Sequence, residues 1–390
     1  MTPASSTARS ARAPQRIRFG VARRCVCAAL GCTAALVKPI RPFQSPAPDA
    51  PVLLLEPFGM GDVISLEPLV RELLRQGREV RFCARATWRE LYPSVPAAHW
   101  VDARIPWTSY DERGKYSFRA LCSAEFREFR GALREAASGA IGLDTRGDPR
   151  SILLLRLAGC RDVLSLSHYL GSDFRNVAAA APQVEFADDL KRWELNLRFL
   201  PPLGLKPADT VAPPRFTHLA EAREPMRGRI GFIPVAPWSG KHWSHERWLE
   251  LNRRLRVEGR ETLGLCGPNQ AAVARAELGD TVEIRECNSL AEWARALAAC
   301  AQVVAVDTGP THLADALGVP TLALFGQGKL PLWSPSGPRS RALHHQADAD
   351  FVLCHPLVKN ASLGRKFMER ITVQEVLEAV RNISSTPETT

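Results

Sequence analysis

The stretch Q-V-V-A-V-D-T-G-P-T-H-L-A-D-A-L-G-V-P-T-L-A-L-F-G-Q-G-K-L-P-L-W-S-P, residues 302–335, restricts the fold more than any other part of the chain. Val303, Val304 and Val306 around Ala305 form an apolar run of the kind found in strands buried on both faces of a parallel sheet. Asp307-Thr308-Gly309-Pro310 ends that run. Pro310 suits the first turn of a helix, where its missing N–H costs little. His312 to Leu317 reads as helix, Gly318 as the residue after it and Pro320 as a stop. Thr321 to Phe325 is a second strand. The result is a strand–turn–helix–strand unit of about 25 residues. Its helix begins at the C-terminal end of a strand, and such a terminus attracts anions. Gly309 lets a ligand approach the backbone, Thr308 and Thr311 supply hydroxyls, and His312 lies one turn into the helix, in reach of a phosphate oxygen. A plainer reading of the same residues makes Asp307 and Thr308 helix caps and His312 a satisfied polar side chain.

At 390 residues the chain is long for one core, which predicts two domains. The formal charge of +10 is unevenly spread. Eight of the 51 Lys and Arg fall in residues 1–48, which hold no acid, so the remainder carries 43 bases against 41 acids. The body is nearly neutral, and its net charge indicates no nucleic-acid footprint. The ten Cys include no C-x-x-C pair, so no metal site is expected and buried thiols are. Cys354-His355 has no partner at metal-ligand spacing.

Residues 1–50 read as a basic, disordered and dispensable leader. Its apolar stretch, Cys25 to Val37, is too short to span a bilayer. A signal peptide without a clean cleavage site, a membrane-surface anchor and a later true start compete for the same residues. Residues 51–206 form the first α/β domain. Pro51 to Phe58 is its first strand, Gly59-Met60-Gly61-Asp62 a turn, Val63 to Gln76 a helix and Glu79 to Ala84 a strand, which is a Rossmann-like opening without the third Gly of a dinucleotide fingerprint. Asp62 stands where a helix dipole stabilises a carboxylate, and capping alone would account for it. Trp88 to Tyr92, Phe118 to Glu135, Ser151 to Leu157 and Asp188 to Leu200 read as helices, and Ala140 to Asp144 and Arg161 to Leu166 as strands. The strand ending in Asp144-Thr145-Arg146-Gly147 puts Arg146 at a sheet edge, where it either binds an acidic acceptor or pairs with Asp144 or Asp148. Residues 207–228 are Pro-rich and charged, as a linker is. The second domain, residues 229–370, opens with a strand from Arg229 to Val235. A Ser239-Gly240-Lys241 turn follows that does not satisfy the P-loop pattern, and Trp243 and Trp248 read as packing anchors. A helix over 371–383 and a disordered tail over 384–390 close the chain.

D-T-G-P-T-H-L-A-D-A-L-G-V-P-T-L-A-L-F-G followed by W-S-P closely resembles the signature of glycosyltransferase family 9, the heptosyltransferases of the bacterial lipopolysaccharide inner core. Gly61-Asp62-Val63 with Pro68, Lys241-His242-Trp243, and the closing Met368 and Ile371 resemble further elements of that family, so the likeness spans roughly residues 52–380. It implies a GT-B type fold, two Rossmann-like domains with parallel sheets facing across a cleft, with acceptor on the first and nucleotide-sugar on the second. It implies inverting, metal-independent transfer of a heptose from ADP-heptose to a lipopolysaccharide-core acceptor, with no cofactor, at the cytoplasmic face of the inner membrane. By the same likeness Asp62 is the base, Ser239, Lys241, Thr308, Gly309 and His312 contact the donor diphosphate, and Asp307 orients the Thr308 turn or meets the donor sugar. Gly61 and Arg146 belong to the acceptor side. Asn269 and Gln270 stand where many heptosyltransferases carry a Glu that positions the ribose, which leaves nucleoside preference open. A transferase for another nucleotide-sugar or acceptor, and a sugar-nucleotide binder or epimerase of the same fold, stay as alternatives.

Overall fold

The computed structural model describes residues 47, 49–105, 108, 118–166, 183–185, 187, 189–220, 228–346 and 361–385. Nearly all of the leader, Cys354, His355 and the tail beyond residue 385 lie outside them. Two six-stranded, wholly parallel sheets dominate. In the first, β1 (Val52–Leu55), β2 (Val80–Ala84), β3 (Trp100–Asp102), β4 (Ile141–Asp144), β5 (Asp162–Leu166) and β6 (Gln183–Val184) lie in the order 3-2-1-4-5-6. In the second, β7 (Ile230–Ile233), β8 (Thr262–Cys266), β9 (Glu283–Glu286), β10 (Gln302–Val306), β11 (Thr321–Phe325) and β12 (Arg341–His344) repeat that order, counted from β7. The chain is thus an α/β protein of two Rossmann-like lobes.

This order fixes where a site can lie. Each sheet reverses direction between its first and fourth strands, and the crevice beyond their carboxyl ends is where open α/β sheets bind ligands. In the first lobe those strands are β1 and β4, with Leu55 beside Asp144. In the second they are β7 and β10, with Ile233 beside Ala305. Four loops therefore frame the crevice: those after β1, β4, β7 and β10.

The strands form because their residues are apolar on both faces; every residue of β1, β4, β7, β10 and β11 is buried. Trp243 and Trp248 are fully buried and meet edge to face at 5.0 Å, anchoring the second core. The apolar core on one face of the first sheet runs on into the second lobe through Met60, Ile64, Leu313, Ala316 and Leu332.

Several elements differ from the sequence expectation. The helix expected over Val63 to Gln76 is two helices, α1 (Met60–Ile64) and α2 (Glu67–Arg75). Pro68 has no N–H to continue the first and sits in the opening turn of the second. The Phe118 to Glu135 helix breaks at Ser123, whose hydroxyl accepts the Phe126 N–H and starts α3 (Ala124–Ala137). After α4 (Pro149–Ala158), the expected Asp188 to Leu200 helix shrinks to α5 (Arg192–Leu197), because Glu194 caps the Lys191 N–H at its start. In the second lobe α6 (His245–Val257), α7 (Ala271–Leu278) and α8 (Leu290–Ala298) follow β7, β8 and β9. The helix after β10, α9 (Gly309–Ala316), starts three residues earlier than its apolar pattern indicated, with Pro310 in its first turn. Strands β3 and β6 and the helices α10 (Leu330–Trp333) and α11 (Ala361–Arg370) are too short or too polar to show a period. The last helix, α12 (Val373–Ser385), buries Val376, Leu377, Val380 and Ile383 against the second sheet's core.

Helix α11 rests on the Ser239–Lys241 turn at Gly364, where a Cβ would run into the Gly240 carbonyl. Gly364→Ala is expected to cost about 1–3 kcal/mol by overpacking, read as a lower midpoint in urea denaturation. A midpoint equal to the parent's would mean that this contact does not hold the turn.

Candidate active site

The loop after β1 is built on Gly59, whose N–H donates to Asp62 Oδ2 at 3.2 Å. The Asp62 backbone carbonyl accepts the Ser65 hydroxyl at 2.6 Å, closing the short helix α1. Asp62 does cap its helix, then, but only one carboxylate oxygen is used for it. The other, Oδ1, accepts Arg146 Nη1 at 2.5 Å. Arg146 comes from the loop after β4. Its side chain thus pairs with neither Asp144 nor Asp148, the partners its sequence position suggested, although its N–H donates to Asp144 Oδ1 at 3.2 Å.

Behind this pair lies Glu56, fully buried at the end of β1. Its Oε2 accepts the Thr145 hydroxyl at 2.8 Å and lies 3.9 Å from Arg192 Nη2. Its Oε1 lies 3.7 Å from Arg146 Nη1. Burial, reinforced by the Asp62 charge, pushes Glu56 up to about 7 against the pull of Arg146 and Arg192. Burial and the neighbouring Asp148 likewise push Asp144 up to about 7.

In the second lobe the loops after β7 and β10 meet. Lys241 Nζ lies 2.5 Å from Asp307 Oδ2 and donates to the Asp307 carbonyl at 3.1 Å. Asp307 is therefore no helix cap, and Thr308, which holds the cap position, makes no side-chain capping bond. Thr311 turns its hydroxyl inward to the Val306 carbonyl at 2.7 Å. Gly309 packs against Met60 of the first lobe, where a Cβ would come 3.0 Å from the Met60 Cβ. His312 Nε2 lies 3.8 Å from Asp307 Oδ1, and the ring packs 5.5 Å from that of Trp333. Burial pushes the His312 imidazole below its ordinary value; Lys241 pushes the same way, while Asp307, Asp315 and Asp62 oppose. At neutral pH the ring is uncharged, with one nitrogen to donate and one to accept.

The two halves touch. A Cβ on Gly61 would sit 2.7 Å from His312 Cδ2, so only glycine permits this approach. Around the contact runs a narrow cleft of about 40 Å3, lined by Gly61, Ser65 and Lys191 from one side and His312, Asp315 and Trp333 from the other. It is held by Lys191, whose Nζ donates to the Ser334 and Pro335 carbonyls at 2.9 and 3.1 Å, and by Trp193, whose Nε1 donates to Ser336 Oγ at 3.1 Å. Asp315 accepts the Ser336 and Gly337 N–H groups at 2.7 and 2.9 Å.

The structure thus brings Gly61, Asp62, Arg146, Lys241, Asp307, Thr308, Gly309 and His312 to one crevice. Ser239 opens the turn that carries Lys241. Sequence reasoning missed Glu56, Lys191, Arg192 and Asp315. A signal existed for Glu56, an acid inside the apolar run P-V-L-L-L-E-P-F; none marked the other three. Chemically, the crevice sets a carboxylate opposite a cation and a helix N-terminus, an arrangement able to deprotonate one group while accepting a departing anion.

The family model for Glycosyltransferase family 9 (heptosyltransferase) matches residues 168–354. Lipopolysaccharide heptosyltransferase 1 of Salmonella typhimurium is 30% identical over 294 residues, covering 70% of this chain and 88% of the relative. The protein of the same description from Pseudomonas aeruginosa is 29% identical over 289 residues, covering 70% and 78%. Among solved structures, E. coli heptosyltransferase WaaC with ADP superposes with a TM-score of 0.65 at 20% identity, over 85% of this chain and 99% of that one.

The Glu56 carboxyl gives a stability signature. A carboxyl raised from 4.5 to about 7 on folding stays protonated in the native chain while the unfolded chain ionises, so the parent loses stability as pH rises between those values. Glu56→Gln does not titrate. The melting temperature of this variant, measured against the parent by calorimetry, is expected to gain on the parent's steadily from pH 5 to pH 8. A constant difference would mean that Glu56 is ionised throughout.

Proposed function

Because the chain belongs to glycosyltransferase family 9, the heptosyltransferases, we propose that it transfers a heptose from ADP-heptose to a lipopolysaccharide-core acceptor, with inversion at the anomeric carbon. That it is a glycosyltransferase follows from the family. The donor, acceptor and stereochemistry are proposed on the lipopolysaccharide heptosyltransferase relatives and on the crevice, where Asp62 of one lobe faces Lys241 and the α9 terminus of the other. This juxtaposition is the observation that carries the reading.

In the proposed reaction the acceptor hydroxyl oxygen attacks the anomeric carbon from the face opposite the diphosphate. The bond from that carbon to the diphosphate oxygen breaks, and its electron pair leaves with the nucleoside diphosphate. The hydroxyl proton passes to Asp62, which lies on the acceptor lobe. A positioned base of this kind contributes about 10²–10⁴-fold. Charge builds on the departing diphosphate, where Lys241, the His312 ring and the first-turn N–H groups of α9 offset it. Ser239 and Thr308 add hydroxyls on the same side. In this scheme the ammonium and helix terminus take the part that a divalent cation plays elsewhere, and no cofactor is required. Asp307 holds Lys241 until the donor arrives, then faces the donor sugar.

A lipid-linked acceptor would set this chemistry at the cytoplasmic face of the inner membrane, with the protein bound peripherally. Among the described residues no helix is long and apolar enough to cross a membrane. A second reading, with another nucleotide-sugar as donor, has one observation in its favour. Gln270 folds its Oε1 onto the Gly267 N–H at 3.0 Å, and Asn269 takes a left-handed φ of 60°. A neutral, self-satisfied turn therefore stands where a ribose-binding acid would otherwise be expected.

The direct test is incubation with ADP-heptose and a core-lipid acceptor, which should add the mass of one heptose to the acceptor; a panel of donors read by nucleotide release separates the two readings. Asp62→Ala is expected to lower turnover by at least about 10²-fold while ADP affinity, measured by calorimetry, stays within twofold of about the parent's value. Parental turnover in that variant would remove Asp62 from the chemistry. Lys241→Ala should weaken ADP binding by about tenfold to a hundredfold, the range for a hydrogen bond to a charged group. Unchanged affinity would show that Lys241 does not meet the diphosphate.

A further inference from the structure

The loop after β4 places one guanidinium between two carboxyl groups. Arg146 Nη1 is 2.5 Å from Asp62 Oδ1 and 3.7 Å from Glu56 Oε1. The Phe58 ring covers the guanidinium face at 4.0 Å. The side chains of Arg146 and Asp62 are only 13% and 15% exposed, so the pair is shielded from the screening that makes surface ion pairs weak. Glu56 Oε1 is buried and accepts no hydrogen bond among the described residues, so toward Arg146 it acts as an electrostatic brace.

The loop that delivers Arg146 is itself over-determined. The Asp144 carboxylate accepts the N–H groups of Arg146 and Asp148 and the Ser165 hydroxyl, at 3.2, 2.8 and 2.8 Å. Gly147 turns the chain at a left-handed φ of 68°, and a Cβ there would run into the Leu166 carbonyl. Arg192 Nη2 donates to the Thr145 carbonyl at 2.7 Å, gripping the same turn from α5. A backbone held this firmly fixes where the Arg146 stem begins. Asp62, in contrast, sits on a helix of five residues, where the Gly59 N–H at 3.2 Å is the other hydrogen bond to its carboxylate among the described residues.

We propose that Arg146 is a positioning residue for the base: it orients the Asp62 carboxylate toward the crevice between the lobes, and Glu56 steadies the guanidinium from behind. The proposal rests on the reading of Asp62 as the base of glycosyl transfer. When Asp62 takes the acceptor proton its charge is lost, and Glu56, whose carboxyl that charge had helped to push up, ionises more readily beside the guanidinium. A negative charge is thus kept beside the shielded guanidinium while the base changes its own. His312, Lys241 and Asp307 across the crevice, and Arg192 and Tyr92 behind Glu56, also face this set, and they are common to the parent and to every variant below.

The experiment compares the full-length parent with Arg146→Gln, Arg146→Lys, Glu56→Gln and the double variant Glu56→Gln/Arg146→Gln. Turnover is followed by ADP release with ADP-heptose and core-lipid acceptor, as kcat and KM from pH 5 to pH 9, and ADP affinity is measured separately. Arg146→Gln is expected to lower kcat by about tenfold to a hundredfold with ADP affinity unchanged. A nearby cation favours the ionised form of a carboxylate, so the acid limb of its kcat/KM profile should move to higher pH. Arg146→Lys, which keeps the charge but not the fork, should recover part of kcat and restore the limb. Glu56→Gln should cost severalfold alone and nothing further in the Arg146→Gln background, since it acts through the guanidinium. An active parent whose Arg146→Gln variant keeps parental kcat and profile would overturn the proposal alone, as would independent, multiplying effects of the two substitutions. A parent inactive toward every donor would overturn the transfer reading and the proposal with it. If Arg146→Gln does not fold, Arg146→Lys and Glu56→Gln still decide: parental kcat and pH profile in both would overturn the proposal.

Discussion

The approach of the Gly61 backbone to the His312 ring is the constraint on which the rest of this structure depends. Any side chain at residue 61 would hold the lobes apart, since even a Cβ would lie 2.7 Å from Cδ2 of the imidazole. With glycine there, α1 and α9 meet end to end, and each brings its own chemistry: a carboxylate on the next residue, Asp62, and a polarised helix terminus with Lys241 at its flank. Neither lobe holds both. The two sheets are built to the same strand order, so their switch points are equivalent places, and facing them across one crevice doubles the number of loops that can serve a ligand.

The charged groups at this crevice are paired among themselves. Lys241 is held by Asp307, and Arg146 by Asp62 with Glu56 behind. Burying such pairs is a poor route to stability, because desolvation offsets much of the attraction. Their concentration at the two switch points, above strands β1, β4, β7 and β10 whose residues are all buried, is better understood as preorganisation. The arrangement also separates duties. In the proposed reaction the second lobe receives the departing anion on one cation and an uncharged imidazole, and the first receives the proton on a carboxylate.

The walls of the cleft carry a different kind of contact. Lys191 and Trp193 of the first lobe reach the Ser334–Ser336 loop of the second, and Asp315 of α9 ties down the same loop through two backbone N–H groups. The W-S-P stretch thus joins the lobes while α9, in the same segment of sequence, faces the crevice. Burial lowers the Lys191 ammonium from its ordinary value, with Asp315 and Glu194 opposing. This polar contact at the edge of the cleft adds to the apolar core that the lobes share through Met60, Ile64, Leu313, Ala316 and Leu332.

The sequence by itself determined the class of fold, the pairing of two Rossmann-like lobes and most of the strands, because a strand buried on both faces must be an unbroken apolar run and such runs are visible in a single chain. It also determined the polar residues of the turns after β1, β7 and β10, whose glycines and prolines mark where strands give way to helices. What only the tertiary structure decided is which of those residues touch. That Lys241 grips Asp307, that Arg146 turns from its neighbours Asp144 and Asp148 to Asp62, and that Glu56 waits behind them are contacts between residues 66, 84 and 90 positions apart. No local pattern encodes such a separation. It follows from parallel strands placed side by side and from two sheets brought together at a glycine.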